Sequence, residues 1–206
     1  DYTDQDKQKN LIKFEKKKDQ YYLIGSLFNA NNLIDNLLSD DDESSNFLDM
    51  DGKVSVNIDK ILLDNEHYLL DFSGDILFKN KETLHAKLNG DFPDNKKFKF
   101  TVNTNDNNKI TTLYIDKAEP IVRKYKFIKG FDEGSLDYNS SKKFNESISQ
   151  LKIYDFKLKE LPVLTKILTL ASLQGIADIL SGEGIRFDEF EMNFKNKDNL
   201  MTIDEI

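Results

Sequence analysis

The sequence predicts a mainly β chain of consecutive antiparallel hairpins, interrupted by a few short amphipathic helices. Three observations carry this. Apolar and polar residues alternate with period two through the middle of the chain, as in Val54, Val56 and Ile58 set between Lys53, Ser55, Asn57 and Asp59. Such a run has one apolar and one polar face when extended. Clusters of Asn, Asp and Pro separate the runs at intervals of roughly 10–15 residues, the rhythm of strands joined by tight turns. Apolar residues reach 38 % of the 206, with 15 Phe and 8 Tyr, so the chain can bury a core and does not match a disordered composition.

Taken in order, residues 9–15 and 20–28 read as two strands that can pair across a weak turn at Lys16-Lys17-Lys18-Asp19. Residues 29–38 carry Leu33, Ile34, Leu37 and Leu38 at helical spacing, and Asp40 to Asn46 follow as a solvated loop. After the strand at Val54–Ile58, Leu70, Phe72, Ile76 and Phe78 are placed on one face, with Gly74 between them. Leu84, Ala86 and Leu88 repeat the alternation, and so do Phe98, Phe100 and Val102. The connections are Asp64-Asn65-Glu66, Asn80-Lys81-Glu82, Pro93-Asp94-Asn95 and Asn105-Asp106-Asn107-Asn108, all rich in turn formers.

Residues 117–128 are ambiguous, with Pro120 able to open a short helix that ends near Lys129-Gly130. Residues 134–138, 146–158 and 185–195 are extended in pattern. In the last run Ile185 and Phe187 share a phase, and Phe190, Met192 and Phe194 resume in the other, which predicts a bulge near Asp188-Glu189. Residues 161–181 repeat apolar residues at helical spacing with a slip between Ser172 and Gly175. They read as two short amphipathic helices or one kinked helix, ended by Gly182 and Gly184. Lys166, Gln174 and Asp178 argue against a membrane span there.

The net charge of −8, with both signs mixed along the chain, argues against a nucleic-acid binder, which would carry a basic stripe. With no cysteine, neither a disulfide scaffold nor a thiolate metal site is possible. The two histidines, His67 and His85, read as ordinary exposed side chains, since neither has a spaced partner of the kind an active site needs. Asp49-Met50-Asp51-Gly52 has the look of a calcium loop. With Gly52 at the glycine position, however, the first ligand falls on Phe47 and the last on Ile58. Acidic pairs such as Asp188-Glu189 are expected by chance in so acidic a chain. No phosphate-binding glycine loop, nucleophile elbow or zinc-helix motif is present. The expectation is a protein that is not an enzyme and has neither a metal nor a cofactor.

What the residues offer is apolar surface. It can be a closed β core or an open groove, and alternation suits both. Two other readings stay open. A structural or assembly factor would bind a protein through a sheet edge. A glycan hydrolase would hold two carboxylates in a pocket.

Residues 155–205 carry a more specific pattern. Asp155-Phe156 is followed by Leu161-Pro162-Val163-Leu164, then by Leu168 to Ser181, containing Ala171-Ser172-Leu173-Gln174-Gly175 and Leu180, and then by Gly182-Glu183-Gly184-Ile185-Arg186-Phe187. This order resembles the AsmA-like C-terminal region of YhdP-type bacterial envelope proteins. Phe156, Pro162, Leu168, Ser172, Leu173, Gly175, Leu180, Gly182, Gly184 and Phe187 stand at its structural positions. Asn199 to Asp204 resembles the strand that follows. Upstream, Gly25 to Ala30 is similar to the family's strand into a short helix, and residues 113–138 to its helix-loop-strand step.

The resemblance implies an elongated, strongly curved antiparallel sheet forming an open groove, with short helices at its edge. It makes residues 1–206 one fragment of a larger domain. Residues 1–145 would be strands with a helix near 29–38. Residues 146–206 would be a strand, the helical pair at 161–181 and further strands. It further implies a periplasmic protein, tethered to the inner membrane by an N-terminal anchor outside this chain, that carries phospholipid toward the outer membrane. The partners would then be phospholipid acyl chains and the membrane. The groove would be lined by Val54, Val56, Ile58, Leu70, Phe72, Ile76, Phe78, Leu84, Leu88, Phe98, Phe100 and Val102. Each shielded CH₂ gains about 0.8 kcal/mol, and no reacting residue is needed.

Overall fold

The computed structural model describes residues 2–3, 9–18, 20–31, 51–80, 82–124, 130–159, 184–198 and 200–205. Twelve strands form one sheet in sequence order. They are β1 (Tyr2–Thr3), β2 (Lys9–Lys17), β3 (Gln20–Asn29), β4 (Gly52–Leu62), β5 (Tyr68–Lys79) and β6 (Glu82–Asp91). Then come β7 (Lys97–Asn105), β8 (Asn108–Ile115), β9 (Phe131–Lys143), β10 (Glu146–Leu158), β11 (Ile185–Lys197) and β12 (Leu200–Glu205). The sheet is long, curved and unclosed. A short helix, α1 (Glu119–Val122), interrupts it, with Pro120 in its first turn.

The turns explain why the strands follow one another. Between β7 and β8 only Asp106 and Asn107 remain, with φ of 49° and 63°. Two central residues of positive φ make the tight hairpin whose twist matches that of its strands. Asn80, Asn95 and Lys18 take the same left-handed conformation at other turns. One pairing departs from the antiparallel expectation: β3 and β4 run parallel, from Gln20↔Lys53 to Asn29↔Leu62. Parallel neighbours need a crossover and not a hairpin.

Three local expectations need correction. Residues 110–115, left unassigned by alternation, form most of β8, and residues 113–115 are strand where the resemblance implied helix. The helix opened by Pro120 is a single turn, and residues 125–129 lie outside the described residues. Asn29 closes β3, and its Oδ1 accepts the N–H of Asn31, the first helical residue, at 3.0 Å. The rest of the helix expected at 29–38, from residue 32, and the whole pair at 161–181 lie outside the described residues. So do Pro162, Leu168, Ser172, Leu173, Gly175, Leu180 and Gly182. Of the motif positions, Phe156 is on β10, Phe187 on β11, and Gly184, with φ 83°, immediately precedes β11.

The phase slip in residues 185–195 is real, but its form differs from a bulge. Asp155 on β10 has φ 51°, and Phe156↔Phe187 and Tyr154↔Glu189 keep one register on either side of it. No residue is extra. Both strands change phase together, so that Ile153 and Phe156, three apart, are both buried. On β9, Glu133 (φ 62°) and Gly134 (φ 82°) do the same between the buried Phe131 and Leu136. Asp71 on β5 (φ 51°) repeats it, and there β6 does not follow, so the β5–β6 register shifts between Leu70 and Ser73.

The core gathers at the end of the sheet beside α1. Ala30, Ile61, Leu63, Leu69, Phe92, Ala118, Val122 and Phe131 are buried there and are continuous with Val54, Val56, Ile58, Leu136 and Ile153. Phe131, Phe156 and Phe187 stack in a ladder with centroids 5.4 and 5.2 Å apart. Side chains tie distant strands together at this end. His67, between β4 and β5, places Nε2 2.7 Å from Glu119 Oε2 on α1. Arg123, just after α1, donates to Glu66, to Asp132 and to the carbonyl of Phe131.

Candidate functional site

Residues directly opposed in neighbouring strands share a face, so the register sorts one face of the sheet into rows. The row nearest the α1 end runs Phe98, Ile115, Leu136, Ile153, Phe190. Above it run Val56, Gly74, Leu88, Phe100, Leu113, Tyr138, Leu151 and Met192. A third row is Val54, Ile76, Ala86, Val102, Thr111, Ser140, Ser149, Phe194 and Ile203. The last row, at the end away from α1, is Thr104, Lys109, Lys142, Ser147, Asn196 and Met201. From β7 to β11, polarity therefore rises along the face: apolar, then hydroxyl-bearing, then cationic.

This face contains most of the residues that alternation selected, with different exposures. Val54, Val56, Ile58 and Val102 are buried, at 6 % exposure or less, and belong to the core. Phe72, Ile76, Phe78, Leu88 and Phe98 are part-buried against it. Phe100 is part-buried and shares the face through its partners Leu88 and Leu113. Leu70 is misplaced by alternation. Leu69 is the core residue, at 1 % exposure, because the positive φ at Asp71 shifts the phase between Leu69 and Phe72. Leu84 falls where the β5–β6 register shifts between Leu77 and Phe78, and it is part-buried outside the core cluster.

Alternation also missed several residues of the face. Tyr21, Leu23, Leu113, Tyr138, Leu151 and Phe190 are part-buried against the same cluster. Leu113 was recoverable from its spacing to Ile115. Tyr138 and Leu151 were hidden by hydroxyl and charged neighbours. Ser149 is buried and donates to Ser140 Oγ at 2.9 Å, with Tyr138 Oη 3.3 Å away.

His67 is not the exposed side chain that the sequence suggested. It is 10 % exposed, with Nδ1 2.9 Å from Asp64 Oδ2 and Nε2 2.7 Å from Glu119 Oε2. Both ring nitrogens are therefore engaged by carboxylates of the protein itself. Asp64 lies below its ordinary value. Burial pushes it up, but hydrogen bonds from the Glu66 N–H and from the ring and N–H of His67 outweigh this. His85 is exposed and contacts Asn103 Oδ1 at 2.8 Å. Asp51 accepts the Asn80 N–H at 2.6 Å, a turn role in place of a calcium ligand's.

A second concavity, about 560 Å³, opens beside α1 and is lined by Lys96, Asp116, Lys117, Glu119, Glu133, Gly134, Ser135, Asp155 and Arg186. Its charges are largely paired. Glu133 meets Lys157 at 2.7 Å and Arg186 at 2.8 Å, and Lys117 meets Asp94 at 3.1 Å. Lys157 first, then Arg186, hold Glu133 below the ordinary glutamate range, so it is ionised at neutral pH and cannot donate a proton. Asp116 accepts the Lys97 N–H at 2.6 Å and the Tyr114 hydroxyl, which pushes Tyr114 up to about 12.

No protein-family model, curated protein or solved structure matches the chain. The rows and their exposures therefore carry the functional argument.

Proposed function

We propose that the chain is a non-enzymatic, lipid-binding segment whose apolar face holds acyl chains. One observation carries this reading. The face is graded, with a largely buried apolar row nearest α1, a part-buried apolar row above it, and hydroxyl and lysine rows at the other end. An amphiphile has the same order of chemistry along its length. Part-buried Leu88, Phe98, Leu113 and Leu151 leave apolar area that a chain can cover, at about 25 cal/mol per Å² removed from water. Binding of this kind needs no reacting group. The wider role, passage of phospholipid across the periplasm toward the outer membrane by a protein tethered to the inner membrane, rests on the resemblance of residues 155–205 to AsmA-like proteins.

Native mass spectrometry of the chain purified from a Gram-negative host, with lipid extraction of the same sample, tests the proposal. Phospholipid should co-purify and should be lost in Leu113→Asp and Leu88→Asp variants that keep the native circular-dichroism spectrum. A folded chain that is free of lipid and takes up none from vesicles contradicts it.

A further inference from the structure

We infer that Lys109 and Lys142 form a binding site for the phosphate of a net-anionic amphiphile. The inference rests on the lipid-binding reading and specifies the headgroup end of the same face. The two lysines are directly opposed in the β8–β9 register. Like charges in that position destabilise a sheet unless an anion lies between them. The chain has 37 acidic residues against 29 basic ones, and several of its lysines pair with them. Lys53 pairs with Asp75 at 3.1 Å, Lys97 with Asp91 at 2.9 Å, and Lys152 with Glu191 at 2.7 Å.

Lys109 and Lys142 have no such partner among the described residues, in a chain where acid is plentiful. Lys109 is also half-buried, and burial first, then the neighbouring Lys142, push its pKa down. Glu82 is the one acidic group whose field favours its charge, and the two form no ion pair. Both effects on Lys109 are relieved by a bound anion.

The neighbours fit a phosphate ester in particular. Ser147 flanks the lysines on one side of the rim row, and Thr104 on the other, its hydroxyl donating to the Thr83 carbonyl at 2.9 Å. Thr111 and Ser140 lie beneath them in the next row, offering hydroxyl donors at the depth of ester oxygens. Leu113 and Tyr138 come next, at the depth of the chains. Ammonium groups and hydroxyls together satisfy a phosphate's acceptors, and these hydrogen bonds are charge-assisted.

The chain is incubated with vesicles of equal parts phosphatidylglycerol and phosphatidylcholine, and its bound lipid is counted by native mass spectrometry and extraction. Phosphatidylglycerol should be enriched about three- to tenfold. Lys109→Gln/Lys142→Gln should abolish the enrichment and leave total lipid uptake in place. Lys142→Gln alone, at an exposed position, should reduce it in a chain whose fold is not at risk. Equal uptake of both lipids, or unchanged enrichment in the double variant, overturns the headgroup site and leaves acyl-chain binding intact. Uptake of neither lipid overturns both readings. Inorganic phosphate added alone distinguishes the sources. If it binds with the same lysine dependence while lipid uptake shows no enrichment, the site is one for free phosphate and the headgroup assignment fails.

Discussion

At the scale of single residues, two side chains test the account of how the fold is held. Leu69 and Leu70 are neighbours, and simple alternation places Leu70 with Phe72. The structure buries Leu69 and leaves Leu70 outside the core cluster. Leu69→Ala should therefore cost about 2–5 kcal/mol in urea denaturation, and Leu70→Ala less than about 1. Equal costs would mean that the phase shift at Asp71 is wrong. His67 is the second. Replacing it with Ala removes the ring that bridges Asp64 and Glu119, and should cost about 1–3 kcal/mol. Neither residue's role was legible in the sequence. The positive φ at Asp71 follows from strand pairing, and the partner of His67 lies on an element far along the chain.

Charge at the α1 end sets the response to acid. Asp64 and Glu133 lie below their ordinary values of 3.8 and 4.5, and Asp132 lies below 3.8, chiefly through Lys159. A carboxylate with a depressed folded pKa adds stability above its unfolded value, and loses it as pH falls through the folded one. The urea midpoint should thus stay level down to about pH 5 and fall below about pH 4. A midpoint that rises on acidification contradicts these pairings.

At the scale of elements, the sequence was legible where alternation was strict and turns were rich in Asn and Asp. β4 to β7 follow directly from Val54 to Val102 and their turns. β8 was not, because Thr111 and Thr112 sit between Ile110 and Leu113 and blur the period. The phase slip near Asp188 was legible on β11, but its matched partner at Asp155 was not, since no local pattern shows which residue will lie opposite. That matched slip makes Gly134 a special position. At φ 82°, a Cβ there would lie 2.8 Å from Phe156 Cβ and 2.9 Å from the Tyr154 carbonyl oxygen. Gly134→Ala should cost about 2 kcal/mol or more, whereas Asp155→Gly, which removes a left-handed non-glycine residue, should cost nothing. Thermal melts of the two variants decide this, and the opposite order would place the slip elsewhere.

At the scale of the whole molecule, the curved sheet has two ends of different character. Hydrophobic burial and the His67 and Arg123 networks fasten the α1 end. The other end has polar and cationic rows, and exposed Phe14, Met201 and Ile203 lie toward the outer strands of the sheet. Candidate lining residues were legible from alternation. The gradient along the face was not, because it depends on which residues of separate strands fall in one row. The division between core and accessible face was hidden too, and four of the proposed lining positions proved to be core.

The central claim is that acyl chains lie on one face of this sheet. The chain has no Trp, so a single Trp can report contact. Leu113 and Tyr114 are adjacent on β8 and point to opposite faces, the first part-buried against the core cluster and the second 39 % exposed. Leu113→Trp and Tyr114→Trp are each mixed with phospholipid brominated on its acyl chains, and fluorescence quenching is read. The account predicts strong quenching at position 113 and little at 114. Equal quenching at both positions, or none at 113 in a folded chain, contradicts it.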